Sequence, residues 1–339
     1  MLYQCLGSRT GIIVACVDSW DIVTVVKAFI NTQFSTLASV FLALSGSIQA
    51  SPLNPRTNAT EKRYAILDND WSPAGFIPFL MALDAGIEIL GIASSTANTW
   101  QKQGAYHALA TLEVGNLSCI PVYYGATHPI INTPELFQAW ESVHGVLPWE
   151  GAFKKFNATA EALFSDPTSG DDPNRITPAA FVEGFPNITA AGTNAAAFMI
   201  EQVRKYPGQE LVIMGGYVDV NLLQTSGDYL QADINSDINL MIDPEGSKIA
   251  LTADFPDIVI AGNVANQVMS TQEFLDEVYE VKNPYSELMH KYYAAEAFFP
   301  FWDETAMALL ADPTINTNSS TGNLPSSDCD CSSSKTNVR

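Results

Sequence analysis

Tyr64-Ala-Ile-Leu-Asp68-Asn69-Asp70-Trp71-Ser72-Pro73-Ala74-Gly75 decides the fold. An apolar strand, Tyr64 to Leu67, stops on two carboxylates and so aims them at the carboxyl edge of a sheet, where open α/β folds bind ligands. Alternation along an extended chain points Asp68 and Asp70 the same way, within reach of one cation or of shared acid–base work. The following Phe76-Ile-Pro-Phe-Leu-Met-Ala-Leu-Asp-Ala-Gly86 reads as an apolar helix with a glycine stop, and Ile87 to Ser94 as a second buried strand. Together they form a βαβ unit with acids at its mouth.

Outward from this unit, strand and helix alternate. Further strands are predicted at Ile120 to Tyr124, Leu211 to Met214 and Asp257 to Ala261. Helices are predicted at Gly75 to Ala85, Gly104 to Val114, Ala190 to Lys205, Thr271 to Tyr279 and Glu304 to Ala311. Thr127 to Pro186 reads as a long Pro- and Gly-rich loop containing His144, and long loops in compact domains are usually functional or flexible. Asp237 and Asn239 flank Ile238 with period two, which places both on one strand face.

The ordered motifs resemble the inosine-uridine-preferring nucleoside hydrolases. The Asp68-Asn-Asp70 strand end, Ser95-Thr-Ala-Asn98, Ile120-Pro-Val-Tyr-Tyr-Gly-Ala126, Val143-His144-Gly145, Leu211-Val-Ile-Met214-Gly-Gly216, Asp237-Ile-Asn239 and Trp302-Asp303 follow that family's order. The resemblance implies an α/β fold: one nucleoside hydrolase-like domain over residues 60–313, with a Rossmann-like, open, mostly parallel sheet and helices on both faces. It implies hydrolysis of the N-glycosidic bond of a ribonucleoside to free base and ribose. Asp70 would take the proton of water, and calcium would be held by Asp68, Asp70 and Asp303. Asn98, Asp237 and Asn239 would hydrogen-bond the ribose, Met214 would line its face, and His144 or Trp302 would meet the base. The ligand implied is a small nucleoside, with a homo-oligomer left open.

Three departures accompany the match. Ala74 and Gly75 stand where the family carries a second acid pair, and Trp302 stands where it carries a histidine. Glu210 runs directly into Leu211, where the family inserts a strand, a Gly-Pro-Leu-Thr-Asn loop and a helix. With those ligands missing, calcium would bind weakly.

Plainer roles fit the same residues. Asp68 and Asp70 also suit a turn or a cap on the following helix, Asn98 a turn, Asp303 an N-cap, and His144 a surface loop. Two other functions are consistent with the pattern: a riboside-binding protein without turnover on the same fold, and a haloacid-dehalogenase-type phosphohydrolase built on Asp68-x-Asp70. The second needs a later apolar strand ending in paired acids, whereas Asp171-Asp172 follows Pro, Thr, Ser and Gly.

With 16 basic and 37 acidic residues the net charge is −21, which disfavours nucleic acid polymers and anionic membranes. Residues 1–50 read as a leader. Within it Phe34 to Ala50 has the short apolar core and small-residue end of a secretory signal, and the preceding apolar run from Gly11 makes that signal internal. Sequons at Asn58, Asn116, Asn157, Asn187 and Asn318 agree with a secreted, extracellular glycoprotein. Cys119 reads as a core residue, and residues 314–339, rich in Ser, Asn and Thr, as a disordered tail.

Overall fold

The computed structural model describes residues 11–15, 62–70, 75–144, 166, 172–216, 238–261, 265, 268, 271–293 and 301–316. Six parallel strands form one sheet: β1 (Gly11–Ala15), β2 (Arg63–Asn69), β3 (Ile87–Ser94), β4 (Val122–Tyr124), β5 (Glu210–Ile213) and β6 (Ile258–Ile260), in the order β4-β3-β2-β1-β5-β6. The helices described are α1 (Phe76–Asp84), α2 (Gln101–Val114), α3 (Pro134–His144), α4 (Ala195–Lys205), α5 (Ile238–Met241), α6 (Pro244–Leu251), α7 (Gln272–Glu280), α8 (Pro284–Tyr293) and α9 (Trp302–Ala311).

Period-two alternation divides the core between the two faces of the sheet. Ala65, Leu67, Val212, Met214 and Val259 face one layer, where Phe79 and Ala82 of α1, Leu109 of α2, and Met307 and Leu310 of α9 are buried with them. Ile66, Leu211, Ile213, Ile258 and Ile260 face the other, packed on Phe198 and Met199 of α4 and Ala250 of α6. Both faces are covered, so the middles of β2, β3, β5 and β6 are apolar runs, with polar residues such as Arg63, Glu88 and Glu210 at or near their starts. Pro78 is tolerated in α1 because it falls in the first turn, whose N–H groups have no intrahelical acceptor. The helix ends at Gly86, whose φ of 70° is cheap only for glycine.

The last helix is tied to β2 at both ends. Arg63, which opens the strand, donates from Nη1 to the carbonyl of Ala311 at 2.9 Å and from Nη2 to that of Leu310. These carbonyls belong to the last turn of α9, where backbone acceptors lack partners and a cation is favoured by the helix dipole. Asn69, which closes the strand, donates from Nδ2 to Asp303 Oδ2 at 2.9 Å in the first turn of α9. The helix therefore runs antiparallel to β2 and sets its N-terminus at the carboxyl edge of the sheet.

Several expectations are corrected. Residues 11–15, read as leader, pair as β1 with β2 (Gly11 to Tyr64, Ala15 to Asp68) and with β5 (Ile12 to Glu210, Ala15 to Ile213). Hydropathy alone does not separate a leader's apolar run from a buried parallel strand. The remainder of the leader, residues 16–50, and the tail from residue 317 lie outside the described residues. The stretch read as a loop from Thr127 contains α3, whose Pro134 sits at a helix start and whose apolar Phe137 is buried. Ile238 and Asn239 lie in the short helix α5 rather than on a strand. Cys119 is exposed in the turn before β4, because that strand begins only at Val122.

One polar assembly is buried against the outer side of α2. His107, whose side chain is fully buried, meets Asp166 Oδ1 at Nε2 (2.7 Å) and Glu183 Oε1 at Nδ1, and stacks on Phe181 with centroids 4.3 Å apart. Gln103, one helical turn earlier, donates to Asp166 Oδ1 at 2.6 Å and accepts from the backbone N–H of Thr177 at 3.1 Å. Burial opposes the charge on His107, but the two carboxylates outweigh it and push its pKa up from 6.5 to about 9.

Two outcomes test these features. Ile13→Pro removes a ladder donor from a strand paired on both sides and is expected to cost about 3 kcal/mol or more in chemical unfolding of the full chain. Unchanged stability would show that β1 is dispensable. Because the folded pKa of His107 lies above its ordinary value, its contribution is complete below pH 6.5 and is lost as pH rises through about 9. Stability should fall over that window by on the order of 3 kcal/mol, and His107→Gln should flatten the curve.

Candidate active site

The switch point of the sheet lies between β1 and β5, since the chain builds β2, β3 and β4 on one side of β1 and β5 and β6 on the other, and the carboxyl end of β2 is one strand away. Ligands in open α/β sheets bind in this crevice. Asp68, Asn69 and Asp70 leave β2 beside it, and Met214-Gly215-Gly216 leaves β5, turning through φ values of 144° and 73° at the two glycines. A Cβ on Gly216 would come within 2.6 Å of Ile260, so the turn requires glycine for space as well as for conformation.

The three residues at the end of β2 part company. Asp68 is on the face of Ile66, almost fully buried, and its Oδ1 accepts from Ser95 Oγ at 3.4 Å. Asn69 follows Leu67 to the opposite face and reaches Asp303. Asp70 lies just beyond the strand, so alternation no longer fixes its direction, and its Oδ2 accepts the backbone N–H of Asn98 at 2.9 Å. The expectation that Asp68 and Asp70 share one face holds only as far as the strand does.

Asp70 is half-buried, and its pKa is pushed up from 3.8 to about 6. Burial is the main cause and repulsion by Asp303 the next; the N–H of Asn98 works against both, and Asp166 adds a weaker repulsion. A second acid of the same turn, Glu304, is pushed up to about 8 by burial and by Asp303. The first turn of α9 suits such a concentration of acid, because the helix N-terminus favours negative charge.

Other expected residues are placed as follows. Asn98 is exposed, and its backbone rather than its side chain meets Asp70. Met214 is buried under the sheet edge, where Asn239 Nδ2 donates to its carbonyl at 3.1 Å and touches its sulfur at 3.7 Å. Trp302 opens α9 half-buried against the core. His144 is the last residue of α3, with its side chain outside the described residues, and Asp237 also lies outside them. An apolar hollow of about 190 Å³ between α3 and α5–α6, lined by Ile131, Leu136, Phe137, Trp140 and Met241, includes neither Asp70 nor Asp303.

Asp70 and Asp303 suit an oxygen-seeking cation, being two carboxylates that repel one another in a desolvated place. Asp68 is engaged with Ser95 instead, and among the described residues no three His, Cys, Asp or Glu side chains converge on one point. The residues that sequence reading passed over are Asn69, Asp166 and Glu304. Asn69 carried a signal, its two-residue offset from Leu67, whereas Asp166 is recruited by a buried histidine that resembles any core position.

The family model for inosine-uridine preferring nucleoside hydrolases matches residues 65–325. The fission yeast Schizosaccharomyces pombe protein C800.11 is 35% identical over 276 residues, covering 74% of this chain and 69% of that one. The pyrimidine-specific ribonucleoside hydrolase RihA of Shewanella baltica is 26% identical over 234 residues, 66% of this chain and 67% of its own length. Among solved structures, the plant nucleoside hydrolase PpNRh1 superposes with a TM-score of 0.55 at 15% identity, covering 81% of this chain and 86% of its own. The purine-preferring ribonucleoside hydrolase from Gardnerella vaginalis gives a TM-score of 0.52 at 16% identity, covering 77% and 83%. At those identities the structures speak for the fold, while the family match speaks for descent: the chain belongs to the inosine-uridine preferring nucleoside hydrolase family.

Proposed function

We propose that the chain cleaves the N-glycosidic bond of a ribonucleoside with Asp70 as the base. Water adds to the anomeric carbon as the bond to the base nitrogen breaks, and Asp70 takes the proton that water loses. The base departs with the bonding electron pair. The observation that carries this reading is the environment of Asp70, half-buried at the carboxyl edge of the sheet, one strand from the switch point, with a pKa of about 6. Such a carboxylate is ionised at neutral pH and is a stronger base than an ordinary aspartate. The transition state has oxocarbenium character, which the acidic surroundings of Asp70 and Asp303 favour electrostatically.

The family is metal-dependent, and calcium is the ion that an oxygen donor set favours. Asp70 and Asp303 would hold it, with Asn69 fixing the orientation of Asp303. Bound there, the ion would supply Lewis acidity toward water and anchor ribose hydroxyls. Two carboxylates are few for calcium, so binding is expected no tighter than roughly the millimolar range. Asn98 and Asn239 stand at the same edge as candidates for ribose contacts, and Trp302 as a stacking surface for the base. Tryptophan cannot donate an acidic proton, so bases that leave unprotonated should be favoured.

A riboside-binding role without turnover is the second reading, favoured by the engagement of Asp68 away from Asp303. Steady-state hydrolysis of inosine and uridine separates the two. In the hydrolase reading, Asp70→Asn lowers kcat/KM by roughly 10²- to 10⁴-fold, the usual range for loss of a general base. A variant as fast as the parent would remove Asp70 from the role, and binding without release of base would favour the second reading. In the metal-free chain Asp70 should gain its proton near pH 6 in an NMR titration of its carboxyl, and Asp303→Asn should move that titration to lower pH by removing a repulsive charge. A titration unmoved by Asp303→Asn would mean that Asp303 does not act on Asp70.

A further inference from the structure

A run of buried hydroxyls, Ser94, Ser95, Thr96 and Thr99, turns the chain from β3 into α2. Two of them close on one residue. Thr96 Oγ1 accepts the backbone N–H of Gln101 at 2.9 Å, and Ser94 Oγ donates to the carbonyl of Gln101 at 3.3 Å. Gln101 is the first residue of α2, and the preceding N-cap, Trp100, makes no side-chain capping bond. The first N–H groups of a helix have no intrahelical acceptor. Thr96 therefore supplies, from five residues upstream, an acceptor that the N-cap side chain does not.

This contact draws residues 96–101 into a closed turn. Within it the N–H of Ala97 donates to the carbonyl of Thr99 at 3.1 Å, while the N–H of Asn98, between them, leaves the turn and meets Asp70 Oδ2 at 2.9 Å. The turn is fixed at its base to the chain leaving β4: the N–H of Thr96 donates to the carbonyl of Ala126 at 3.1 Å, and that of Gly125 to the carbonyl of Ser94 at 2.8 Å. Its other end enters α2, which is buried along most of its length. Asp70 lies beyond the end of β2, where the strand no longer sets its direction, so the Asn98 N–H is a contact from another element that does.

We propose that Thr96 is a positioning residue, its hydroxyl closing the turn between β3 and α2 and so aiming the Asn98 N–H that orients the carboxylate of Asp70. This rests on the reading of Asp70 as the base. Thr96 takes no proton and acts only through the backbone it holds. A base must meet its water within hydrogen-bond reach, so a lost orientation bears on turnover more than on binding.

The test removes one hydroxyl here and one from a cap on a different helix, in the full chain and below the melting temperature of each variant. Thr96→Val keeps the branched shape and loses the acceptor, and should lower kcat for uridine or inosine by about 10- to 100-fold with KM changed by less than about threefold. Thr96→Ser restores the hydroxyl and should return kcat to within about threefold of the parent. Thr271→Val removes the hydroxyl that accepts the N–H of Phe274 at 3.2 Å at the start of α7, and should lower the melting temperature while leaving kcat unchanged. A parental kcat in Thr96→Val, no recovery in Thr96→Ser, or an equal loss in Thr271→Val would overturn the proposal.

A second readout is independent of turnover. Without added metal, Asp70→Asn replaces a charged acceptor by a neutral one, so the Asn98 amide proton should move upfield in the NMR spectrum. In Thr96→Val that resonance should already stand upfield, and adding Asp70→Asn should move it little further. An Asn98 resonance at the parental position in Thr96→Val would overturn the proposal. Should Thr96→Val fail to fold, Thr96→Cys, whose thiol is a weak acceptor, must lower kcat and shift the same resonance. If the unmodified chain releases no base from either nucleoside, the hydrolase reading fails and takes this inference with it. If it does and Thr96→Val matches it, only this inference fails.

Discussion

One strand holds one helix at both ends, and the site depends on that hold. Arg63 and Asn69 lie at opposite ends of β2, and the groups they bind lie at opposite ends of α9. Their spacing along the strand sets the helix antiparallel to it and delivers its acidic first turn to the carboxyl edge. Without the Asn69 contact, Asp303 and Asp70 would be free to separate, as like charges in a desolvated place tend to do. The tie holds together two carboxylates that repulsion drives apart, and that repulsion adds to the larger effect of burial in raising the pKa of Asp70.

The second constraint is the continuity of the sheet. The strand expected between Glu210 and Leu211 from the family pattern is absent from that point, and a gap between β2 and β5 would expose unpaired backbone along two edges. β1 fills it, pairing with both neighbours. Cleavage after Ala50 would remove this strand, so export by the signal read in residues 34–50 and a sheet completed by β1 are alternatives for the mature chain. Asn187, one of the sequons, spends its Nδ2 on Glu113 Oε2 at 3.1 Å, the atom on which a glycan would be attached.

Most of the sheet was legible because parallel strands buried on both faces are short apolar runs between punctuating glycines and polar residues. Ile87–Ser94 agrees with its expected limits, and the predicted helices differ mainly at their ends. Trp302 and Asp303, expected to precede and open the final helix, form its first turn. The failures have separate physical sources. Ile238 and Asn239 carried a period-two pattern over three residues, too few to distinguish a strand from a helical turn. α3 lay hidden because it opens on a proline, exposes Leu136 and follows an irregular stretch with exposed Ile130 and Ile131, so no clean apolar stripe marks it. At the carboxyl edge, sequence reading singled out Asp70 and Asp303 but not Asn69, the residue between Asp68 and Asp70 that hydrogen-bonds Asp303. Asp166 could not be found by pattern, since only the fold brings it to Gln103 and His107.

The tie between β2 and α9 is tested most directly by a double-mutant cycle on kcat/KM for nucleoside hydrolysis, using Asn69→Ala, Asp303→Ala and the pair. If Asn69 acts by holding Asp303, its removal costs activity in the parent and nothing further once Asp303 is gone. Losses that multiply across the two sites would mean that Asn69 and Asp303 act independently, and that the hold of β2 on α9 does not build the site.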